Sequence, residues 1–404
     1  MVSTSKPVGT PVIDKERSGE GTPLKVIMVG LLPLDLTRIK GGVEAVIVNL
    51  FEGFKHMSDI RVLHLAFTKE IREHRSIQYS ENIEIHYIPF KNSNEFADYV
   101  LNGSTLKRFI RDFDPDIIHI QEITPHLLRF LNFPKDRIVI TQHGIMREEH
   151  KYAPRGSKMK SLFKVYVERF VFPLFPHVIF ISDYNRRLYH HRAPLTSSRI
   201  YNPVNPIFFE STSGSSGSAH TMLYVGVLSR RKNIRVVLEA LKELSNKGKH
   251  FTLHVAGGFK DETYEKEIRA FVSDNELTQQ VVFHGWVSQH DLQKLFDQAP
   301  LFILPSLQET LPVSIAEAMA MGKTVIASDV GAIGEMFTNE VSGFLFRKND
   351  KEDLKRVLET IYEKNSTTVY GDSARREAAE KFHPRNIARQ TISFYKQVTQ
   401  YHAA

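Results

Sequence analysis

Short apolar runs alternate with longer helix-like segments along most of the chain. In the first half, the runs typical of buried strands occupy 24–30, 60–67, 83–90, 116–121, 137–143 and 177–182. In the second half they occupy 221–228, 251–258, 281–287, 301–307, 324–328 and 343–346. Segments with helical periodicity lie between them, such as 233–248 and 351–364. This alternation is typical of parallel sheets flanked by helices, so it predicts an α/β fold.

The two sets of strands are separated by a change in composition. Residues 211–218, "STSGSSGS", have the composition of a flexible linker. The N-terminal residues are polar and lack the apolar stretch of a signal peptide, which indicates a flexible tail. We therefore predict two Rossmann-like, doubly wound parallel-sheet domains that face each other across a cleft. The predicted bounds are 1–23 for the tail, 24–208 for the N-terminal domain, 209–218 for the linker and 219–382 for the C-terminal domain.

Composition narrows the class of protein. The 404 residues contain no cysteine, which excludes disulfides, thiolate metal sites and a cysteine nucleophile, and suits a reducing cytoplasm. With 53 Lys and Arg against 46 Asp and Glu, the formal charge is +7, which favours anionic partners. The sequence has no helix-turn-helix, zinc-ligand or aromatic RNA-binding signature, so nucleic acid is not the expected partner. The most apolar run, 170–181, is broken by prolines and falls short of the ~20 residues that a membrane-spanning helix needs.

The segment "PSLQETLPVSIAEAMAMG" places two glutamates around the start of a helix. Glu309 falls in the loop after a strand, and Glu317 lies one to two turns into the helix. Thr310 is the predicted N-cap, and Pro312 is expected within the first turn. The helix N-terminus offers N–H groups to an anion such as a diphosphate, and carboxylates accept hydrogen bonds from sugar and ribose hydroxyls. A purely structural pair of helix glutamates is the alternative.

Other candidate residues also follow strands, where ligands of parallel sheets bind. Gly41 and Gly42 come after the first strand, at the start of a helix, and would let a ligand approach the backbone. His143 ends a strand on the cleft side. A helix-capping glycine pair and a histidine hydrogen-bonded in a turn are the structural alternatives.

The E-x7-E spacing of Glu309 and Glu317, preceded by Pro-Ser, resembles the signature of the family 4 retaining nucleotide-sugar glycosyltransferases, which have the GT-B fold. The resemblance extends over nearly all of the chain after about residue 24. It implies that Glu309 contacts hydroxyls of the donor sugar and that Glu317 contacts the ribose of the nucleotide. It also implies that the backbone amides around Thr310 and Leu311 hold sugar and phosphate, and that His143 lies beside the donor sugar.

The start of the second domain departs from the pattern of this family. The family has a Gly-Arg pair followed by a lysine, and the two cations bind the diphosphate. Gly226 and Lys232 match this pattern, but Val227 stands at the arginine position. We expect Arg230 or Arg231 to supply the missing charge, with solvated loop charges as the alternative.

Further segments extend the resemblance. Gly41 and Gly42 stand at the position of the family's phosphate-side loop. Gln121 stands where a second histidine is frequent, and His119 is expected to be structural. Residues 383–404 look like the family's closing helix, which crosses back to the first domain.

The resemblance implies a retaining, metal-independent glycosyltransferase of the hexosyl type. A sugar would pass from a UDP- or GDP-sugar, bound mainly by the C-terminal domain, to a hydroxyl of a sugar, lipid-linked or small-molecule acceptor. Lys232, Glu309 and His143 would form the catalytic set, acting by positioning and electrostatic stabilisation. No metal and no separate cofactor are expected. Cell-envelope polysaccharide or glycoconjugate biosynthesis in the cytoplasm is the expected setting.

Other functions are compatible with the same features. A nucleotide-sugar epimerase or a phosphorylase would share the architecture, and Val227 keeps a non-catalytic nucleotide-sugar-binding scaffold open. The region 146–170 mixes cationic and aromatic residues, which suits an acceptor or peripheral contact with the inner face of a membrane. A solvated loop followed by an ordinary amphipathic helix is the alternative for that region.

Overall fold

A computed structural model describes most of the chain after the N-terminal segment. The described residues are 22–37, 39, 41–90, 103–121, 125–153, 155–189, 194–210, 217–364 and 368–403.

The first sheet has eight strands within the described residues, in the order β3-β4-β2-β1-β5-β6-β7-β8. The strands are β1 Leu24–Val29, β2 Ile60–Thr68, β3 Arg75–Ser80, β4 Ile83–Pro89, β5 Ile117–Ile120, β6 Ile138–Gln142, β7 His177–Phe180 and β8 Thr196–Arg199. All neighbouring strands pair in parallel except β3, which runs antiparallel to β4 at the edge. The helices are α1 Gly42–Phe54, α2 Gly103–Phe113, α3 Met146–His150, α4 Lys158–Tyr166 and α5 Asp183–Leu188.

The second sheet has six parallel strands in the part of the chain that is described, in the order β11-β10-β9-β12-β13-β14. They are β9 Thr221–Val225, β10 Thr252–Ala256, β11 Val281–Gly285, β12 Leu301–Leu304, β13 Thr324–Ser328 and β14 Gly343–Phe346. The remaining helices are α6 Ile207–Glu210, α7 Ile234–Ser245, α8 Glu262–Asp274, α9 Gln289–Gln298, α10 Val313–Ala320, α11 Ile333–Met336, α12 Lys351–Lys364, α13 Thr368–Lys381 and α14 Pro384–Ala403. The predicted fold class, with two parallel-sheet α/β domains, is confirmed.

Strand order places the cleft. In the first sheet β1 lies between β2 and β5, and in the second β9 lies between β10 and β12, so the chain direction of the crossovers reverses at β1 and at β9. Loops that leave the carboxyl ends of strands at such switch points form the ligand crevice of an open parallel sheet. The loops that carry Gly226, Glu309 and His143 leave β9, β12 and β6.

The C-terminal helix α14 packs on the first domain. A Cβ added to Gly53 of α1 would lie 2.4 Å from the carbonyl oxygen of Pro384, so only glycine allows this approach of the two helices. Lys396 of α14 forms an ion pair with Asp59 at 2.7 Å. The buried Tyr395 hydroxyl lies 2.5 Å from Nδ1 of His119 on β5. Helix α14 therefore contacts a buried residue in the middle of the first sheet.

Some predicted boundaries differ from the structure. Strands β3 and β8 were not expected from the sequence, because "RSIQYS" and "TSSR" are polar and lie at the sheet edges, where an apolar run is not needed. Residues 209 and 210 of the predicted linker belong to α6, where the N–H of Ile207 donates to the side chain of Asn205. Residues 211–216 and the predicted tail up to residue 21 lie outside the described residues.

The described part of the chain has no helix whose length and apolar character would let it cross a membrane.

Candidate active site

Glu309 lies between two cations at the carboxyl end of the second sheet. It follows the fully buried strand β12, and only 5% of its surface is exposed. Its Oε1 lies 2.5 Å from Nζ of Lys232 and 3.6 Å from Nη1 of Arg231, both in the loop after β9. Burial acts to raise the pKa of Glu309, but the charges of Lys232 and Arg231 outweigh it and lower the pKa. Glu309 is therefore ionised at neutral pH.

Backbone contacts hold the two loops of this cluster together. The N–H of Leu307 donates to the carbonyl of Arg231 at 2.8 Å, and Nη1 of Arg231 donates to the carbonyl of Gln308 at 2.6 Å. Gly331, in the loop after β13, has φ of +62°, and a Cβ there would lie only 1.7 Å from the carbonyl oxygen of Glu309. The position of the Glu309 backbone thus depends on a glycine at 331.

The two neighbouring arginines of the loop point in different directions. Arg231 joins the Glu309 cluster. Arg230 is exposed, forms an ion pair with Glu267 of α8 at 2.7 Å and lies over the ring of Tyr264 at 5.2 Å. Two arginines were predicted to replace the family arginine, and only Arg231 has its side chain in the same cluster as Lys232. Arg230 instead pairs with Glu267 of α8 at the surface, so the structure favours Arg231 for this role, which stays a prediction.

Helix α10 begins two residues later than the predicted N-cap indicates. The N-cap is Pro312, with φ of −69° and ψ of 117°, so the prediction of Thr310 as N-cap is wrong. Thr310 and Leu311 instead form a buried turn between β12 and the helix. Within the described residues their backbone N–H groups donate no hydrogen bond, so both are free for an anion at the helix start.

Glu317 lies on the second turn of α10 and is half-buried. Burial raises the pKa of Glu317 to about 7. Its carboxyl group has no hydrogen-bond or ion-pair partner among the residues that the structure describes. A carboxyl group without a protein partner, on a helix that begins just after Glu309, is suited to accept hydrogen bonds from hydroxyl groups.

His143 leads a hydrogen-bonded chain through the first sheet. Its Nε2 lies 2.9 Å from Oε1 of Gln121, and the Gln121 amide donates to Nδ1 of His119 at 3.2 Å. His119 Nε2 then donates to Thr141 at 2.7 Å, and Tyr395 of α14 also contacts its Nδ1. Because the Gln121 oxygen can only accept, His143 carries its proton on Nε2 and leaves Nδ1 unprotonated. Burial lowers the pKa of His143 to about 4, against an opposite effect of Asn202, so the ring is neutral at pH 7.

The two glycines at the start of α1, Gly41 and Gly42, have different surroundings. The N–H of Gly41 donates to the side chain of Glu44 at 3.0 Å, which completes a capping arrangement inside the helix. A Cβ added to Gly42 would meet no atom within 4 Å, so this glycine borders open space.

Gly226, with φ of +152°, lies against the backbone of Gly257, whose added Cβ would come 2.0 Å from the Gly226 carbonyl oxygen. Gly226 therefore sets the backbone conformation of the loop after β9, and it does not leave space there for a ligand.

Glu149 of α3, which the sequence did not single out, brings the two domains into electrostatic contact. Burial raises its pKa, while Arg231 and Lys260 of the second domain lower it and Glu309 raises it. Its carboxylate also folds over Gly144, since a Cβ there would lie 2.4 Å from Glu149 Oε1. Gly144, which directly follows His143, therefore faces the same part of the cleft as the Glu309 cluster.

Glu335 joins the two domains directly, through a contact that the sequence did not predict. Its carboxylate, on α11 of the second domain, accepts hydrogen bonds from the backbone N–H groups of Asp183 and Tyr184 at 2.8 and 2.7 Å. These groups begin α5 of the first domain, and Arg187 of α5 adds an ion pair at 3.2 Å. A carboxylate at a helix N-terminus is favourable, so Glu335 clamps the domains together.

The described residues contain no group of three or more His, Asp or Glu side chains placed to hold a metal ion.

Comparison with known families identifies the chain. The model of Glycosyltransferase Family 4 matches residues 40–207, and the model of Glycosyl transferases group 1 matches residues 209–381. The chain belongs to the family 4, group 1 glycosyltransferases. The family predicted from the E-x7-E segment is confirmed.

Relatives of this glycosyltransferase occur in archaea and bacteria. Glycosyltransferase MJ1178 of Methanocaldococcus jannaschii is 24% identical over 88% of this chain and 95% of its own length. Glycosyltransferase MJ1607 of the same organism is 27% identical, but that match spans only 49% of this chain and 53% of the relative. The amylovoran biosynthesis glycosyltransferase AmsK of Erwinia amylovora is 31% identical over 34% of each chain.

Solved structures share the fold of this glycosyltransferase. Sucrose-phosphate synthase from Thermosynechococcus elongatus superposes with a TM-score of 0.79 at 18% identity, covering 94% of this chain and all of that one. HepE from Anabaena, solved in complex with UDP and glucose, gives a TM-score of 0.72 at 17% identity over 93% of this chain and all of its own. At such identities the likeness concerns the GT-B fold alone.

Proposed function

We propose that this glycosyltransferase transfers a sugar from a UDP- or GDP-sugar to an acceptor hydroxyl with retention of configuration. The observation that carries the proposal is the cluster of Lys232, Arg231 and Glu309 at the carboxyl ends of β9 and β12, which faces the His143 segment across the cleft. A fixed pair of cations beside free backbone N–H groups is suited to a diphosphate. The UDP complexes of the structural neighbour HepE support a nucleotide-sugar donor.

The diphosphate of the donor would bind Lys232, Arg231 and the N–H groups of Thr310 and Leu311. Arg231 would supply the positive charge on the diphosphate that Val227 lacks, because its guanidinium already lies beside Glu309. When the phosphate draws Lys232 away, Glu309 becomes free to accept hydrogen bonds from hydroxyls of the donor sugar. Exchange of one ionic partner for another keeps both buried charges compensated during binding.

Glu317 would accept hydrogen bonds from the ribose hydroxyls, since its carboxylate is otherwise unpartnered in the described structure. His143 is neutral and partly exposed, so it would lie in contact with the donor sugar without adding charge. Gln121 fixes the orientation of His143 for this contact. Gly42 leaves room for the phosphate-side approach to α1.

The reaction would be a front-face displacement. The bond between the anomeric carbon and the diphosphate oxygen breaks, and the acceptor oxygen bonds to that carbon on the same face. The acceptor proton passes to the departing diphosphate oxygen, so neither a protein nucleophile nor a cofactor takes part. Lys232 and Arg231 stabilise the negative charge that develops on the diphosphate, which is the role that a metal ion would otherwise have.

The acceptor is proposed to be a growing polysaccharide or glycoconjugate, either free or lipid-linked. The relative AmsK, named for amylovoran biosynthesis, supports this setting. We place the reaction in the cytoplasm, with peripheral contact between the protein and the inner face of a membrane.

A thermal-shift panel tests the donor part of the proposal. UDP, GDP and ADP are added to the wild type, to Glu317→Ala and to Glu363→Ala, a control whose side chain is 70% exposed on α12. A nucleotide at about a hundred times its Kd should stabilise the wild type and the control by roughly 2.7 kcal/mol. The Glu317→Ala variant should lose most of this shift. If none of the three nucleotides shifts the wild type, the proposed donor site is wrong.

A further inference from the structure

The segment after α3 exposes a continuous apolar face. Helix α4 runs on through a π-helical turn, Val167–Val171, and a short 3-10 turn, Phe172–Leu174. Large apolar side chains project from it at intervals of three or four residues and are more than half exposed: Met159 79%, Leu162 53%, Tyr166 55%, Phe170 55% and Leu174 52%. Intervals of three and four place these side chains on one side of a helix. The rings of Tyr166 and Phe170 are 4.8 Å apart, as expected for neighbours on one face.

The opposite face of the same helix is already packed. Val167, Val171 and Phe172 are buried in the core of the first domain, and Phe163 packs against it. The exposed apolar face is therefore additional to the core-facing one. Contiguous exposed apolar surface of this kind marks an interaction site rather than a packing defect.

Charge selects the partner of this face. Lys158, Lys160 and Arg169 are exposed beside the apolar residues. Helical spacing places Lys158 and Arg169 along one flank and Lys160 along the other. The acidic residue of the segment, Glu168, is buried and accepts hydrogen bonds from the N–H groups of Met146 and Arg147. An apolar face edged by cations, with no exposed acid between 158 and 174, is complementary to anionic lipid.

We infer that the exposed face of 158–174 docks on an anionic lipid bilayer. The apolar side chains would enter the boundary between headgroups and acyl chains, and the flanking cations would contact lipid phosphates. A second copy of this chain is a poorer occupant, because a symmetric dimer through this face would bring like-charged flanks together.

The docking face also lies next to the cleft. Helix α3 begins three residues after His143, and Lys164 of α4 lies close enough to Glu149 to lower its pKa. A bilayer bound to this face would lie beside the first-domain side of the cleft. The inference rests on the proposed function in one respect, since it assigns the proposed membrane contact to a defined surface and a defined lipid charge.

Co-sedimentation with vesicles tests the inference. The full chain is mixed with vesicles of phosphatidylcholine alone, or with vesicles in which about a third of the lipid is phosphatidylglycerol. The bound-to-free ratio should be at least about tenfold higher on the anionic vesicles and should fall with added salt. The double variant Leu162→Asp/Phe170→Asp should lose at least about tenfold of this binding.

Two further variants separate the contributions. Lys158→Glu/Lys160→Glu should lose the preference for phosphatidylglycerol. Val341→Asp, at a side chain 52% exposed in a turn of the second domain, should bind as the wild type does. All variants should keep the nucleotide-induced thermal shift, which shows that they are folded and separates this inference from the donor proposal.

Three results would overturn the inference. They are failure of the wild type to sediment with either vesicle, equal binding to both vesicles, and unchanged binding of Leu162→Asp/Phe170→Asp. A concentration-dependent dimer that this double variant abolishes would assign the face to a second copy instead.

Discussion

Nζ of Lys232 and Oε1 of Glu309 lie 2.5 Å apart, although the two residues come from loops after different strands of the second sheet. Both side chains are largely buried, with exposed fractions of 13% and 7%. A buried pair of this kind is costly to break from one side, because the remaining charge has no full partner. This relationship makes the pair both a structural element and the expected first contact of the donor.

Lys232→Ala should lower the free energy of unfolding by about 3 kcal/mol, since it leaves the Glu309 carboxylate buried with only Arg231 at 3.6 Å. Lys232→Met/Glu309→Gln should be less destabilised than the sum of its single variants, with a coupling of about 1–3 kcal/mol. Urea unfolding at pH 7 compares the wild type, Lys232→Met, Glu309→Gln and the double variant, with Lys232→Ala measured beside them. Strict additivity of the single variants would show that the contact does not contribute to stability. Each variant should also lose sugar transfer.

Arg231→Ala should reduce kcat on the order of 10²–10³-fold, because it removes one of two fixed cations from the charge that develops on the diphosphate. Arg230→Ala is the matched control, since the neighbouring residue carries the same charge but pairs with Glu267 at the surface. It should keep kcat within about twofold. Steady-state transfer with saturating donor measures both. Equal losses in the two variants would mean that general loop charge, and not the position of Arg231, matters.

Gln121→Leu should lower kcat more than it changes the KM for the donor, because His143 keeps its place but loses the acceptor that fixes its tautomer. Gln121→Glu should instead favour the protonated ring, since a carboxylate beside Nε2 raises the pKa of His143. The pH profile of kcat should then gain a limb near neutrality that the wild type lacks. Unaltered pH profiles in both variants would reduce Gln121 to a packing residue.

Glu317→Gln should stabilise the protein increasingly as the pH rises from about 4.5 to 7. The folded pKa of Glu317, about 7, is raised above its ordinary value by burial, so the wild-type folded state holds a proton that the unfolded state has released in this window. The wild type therefore loses stability as the pH rises, and glutamine removes that loss. Thermal melts of both proteins between pH 4.5 and 8 give the difference directly. A constant difference across this range would contradict the burial of the carboxylate.

The apolar runs predicted the strands that bear the site, because strands buried on both faces, such as Leu301–Leu304, need an unbroken apolar sequence. The candidate residues at their ends followed from the same runs. Strands β3 and β8 escaped prediction, since edge strands hold their place through one neighbour and tolerate polar side chains.

The arrangement within the site depended on contacts that no local pattern reports. A threonine side chain is a better N-cap than proline, so the sequence favoured Thr310. In the structure, the contact of Gly331 with the backbone of Glu309 fixes the conformation of this loop. Arg230 and Arg231 are adjacent and chemically identical, and only α8 and the Gln308 carbonyl decide which one turns inward. The role of Gln121 required knowing that β5 and β6 are neighbours.

Glu335→Gln should loosen the two domains, because the amide cannot supply two negatively charged acceptors to the N–H groups of Asp183 and Tyr184. Charge-assisted hydrogen bonds to a helix start are each worth more than neutral ones, so the domain contact should weaken by about 1–3 kcal/mol. Small-angle scattering should show a larger radius of gyration for the variant, while the nucleotide thermal shift stays because the donor cluster lies wholly in the second domain. Glu340→Gln, in an exposed turn that follows α11 in the chain, should leave the scattering unchanged. Identical profiles for Glu335→Gln and the wild type would mean that the packing of α14 on α1, and not the clamp, sets the distance between the domains.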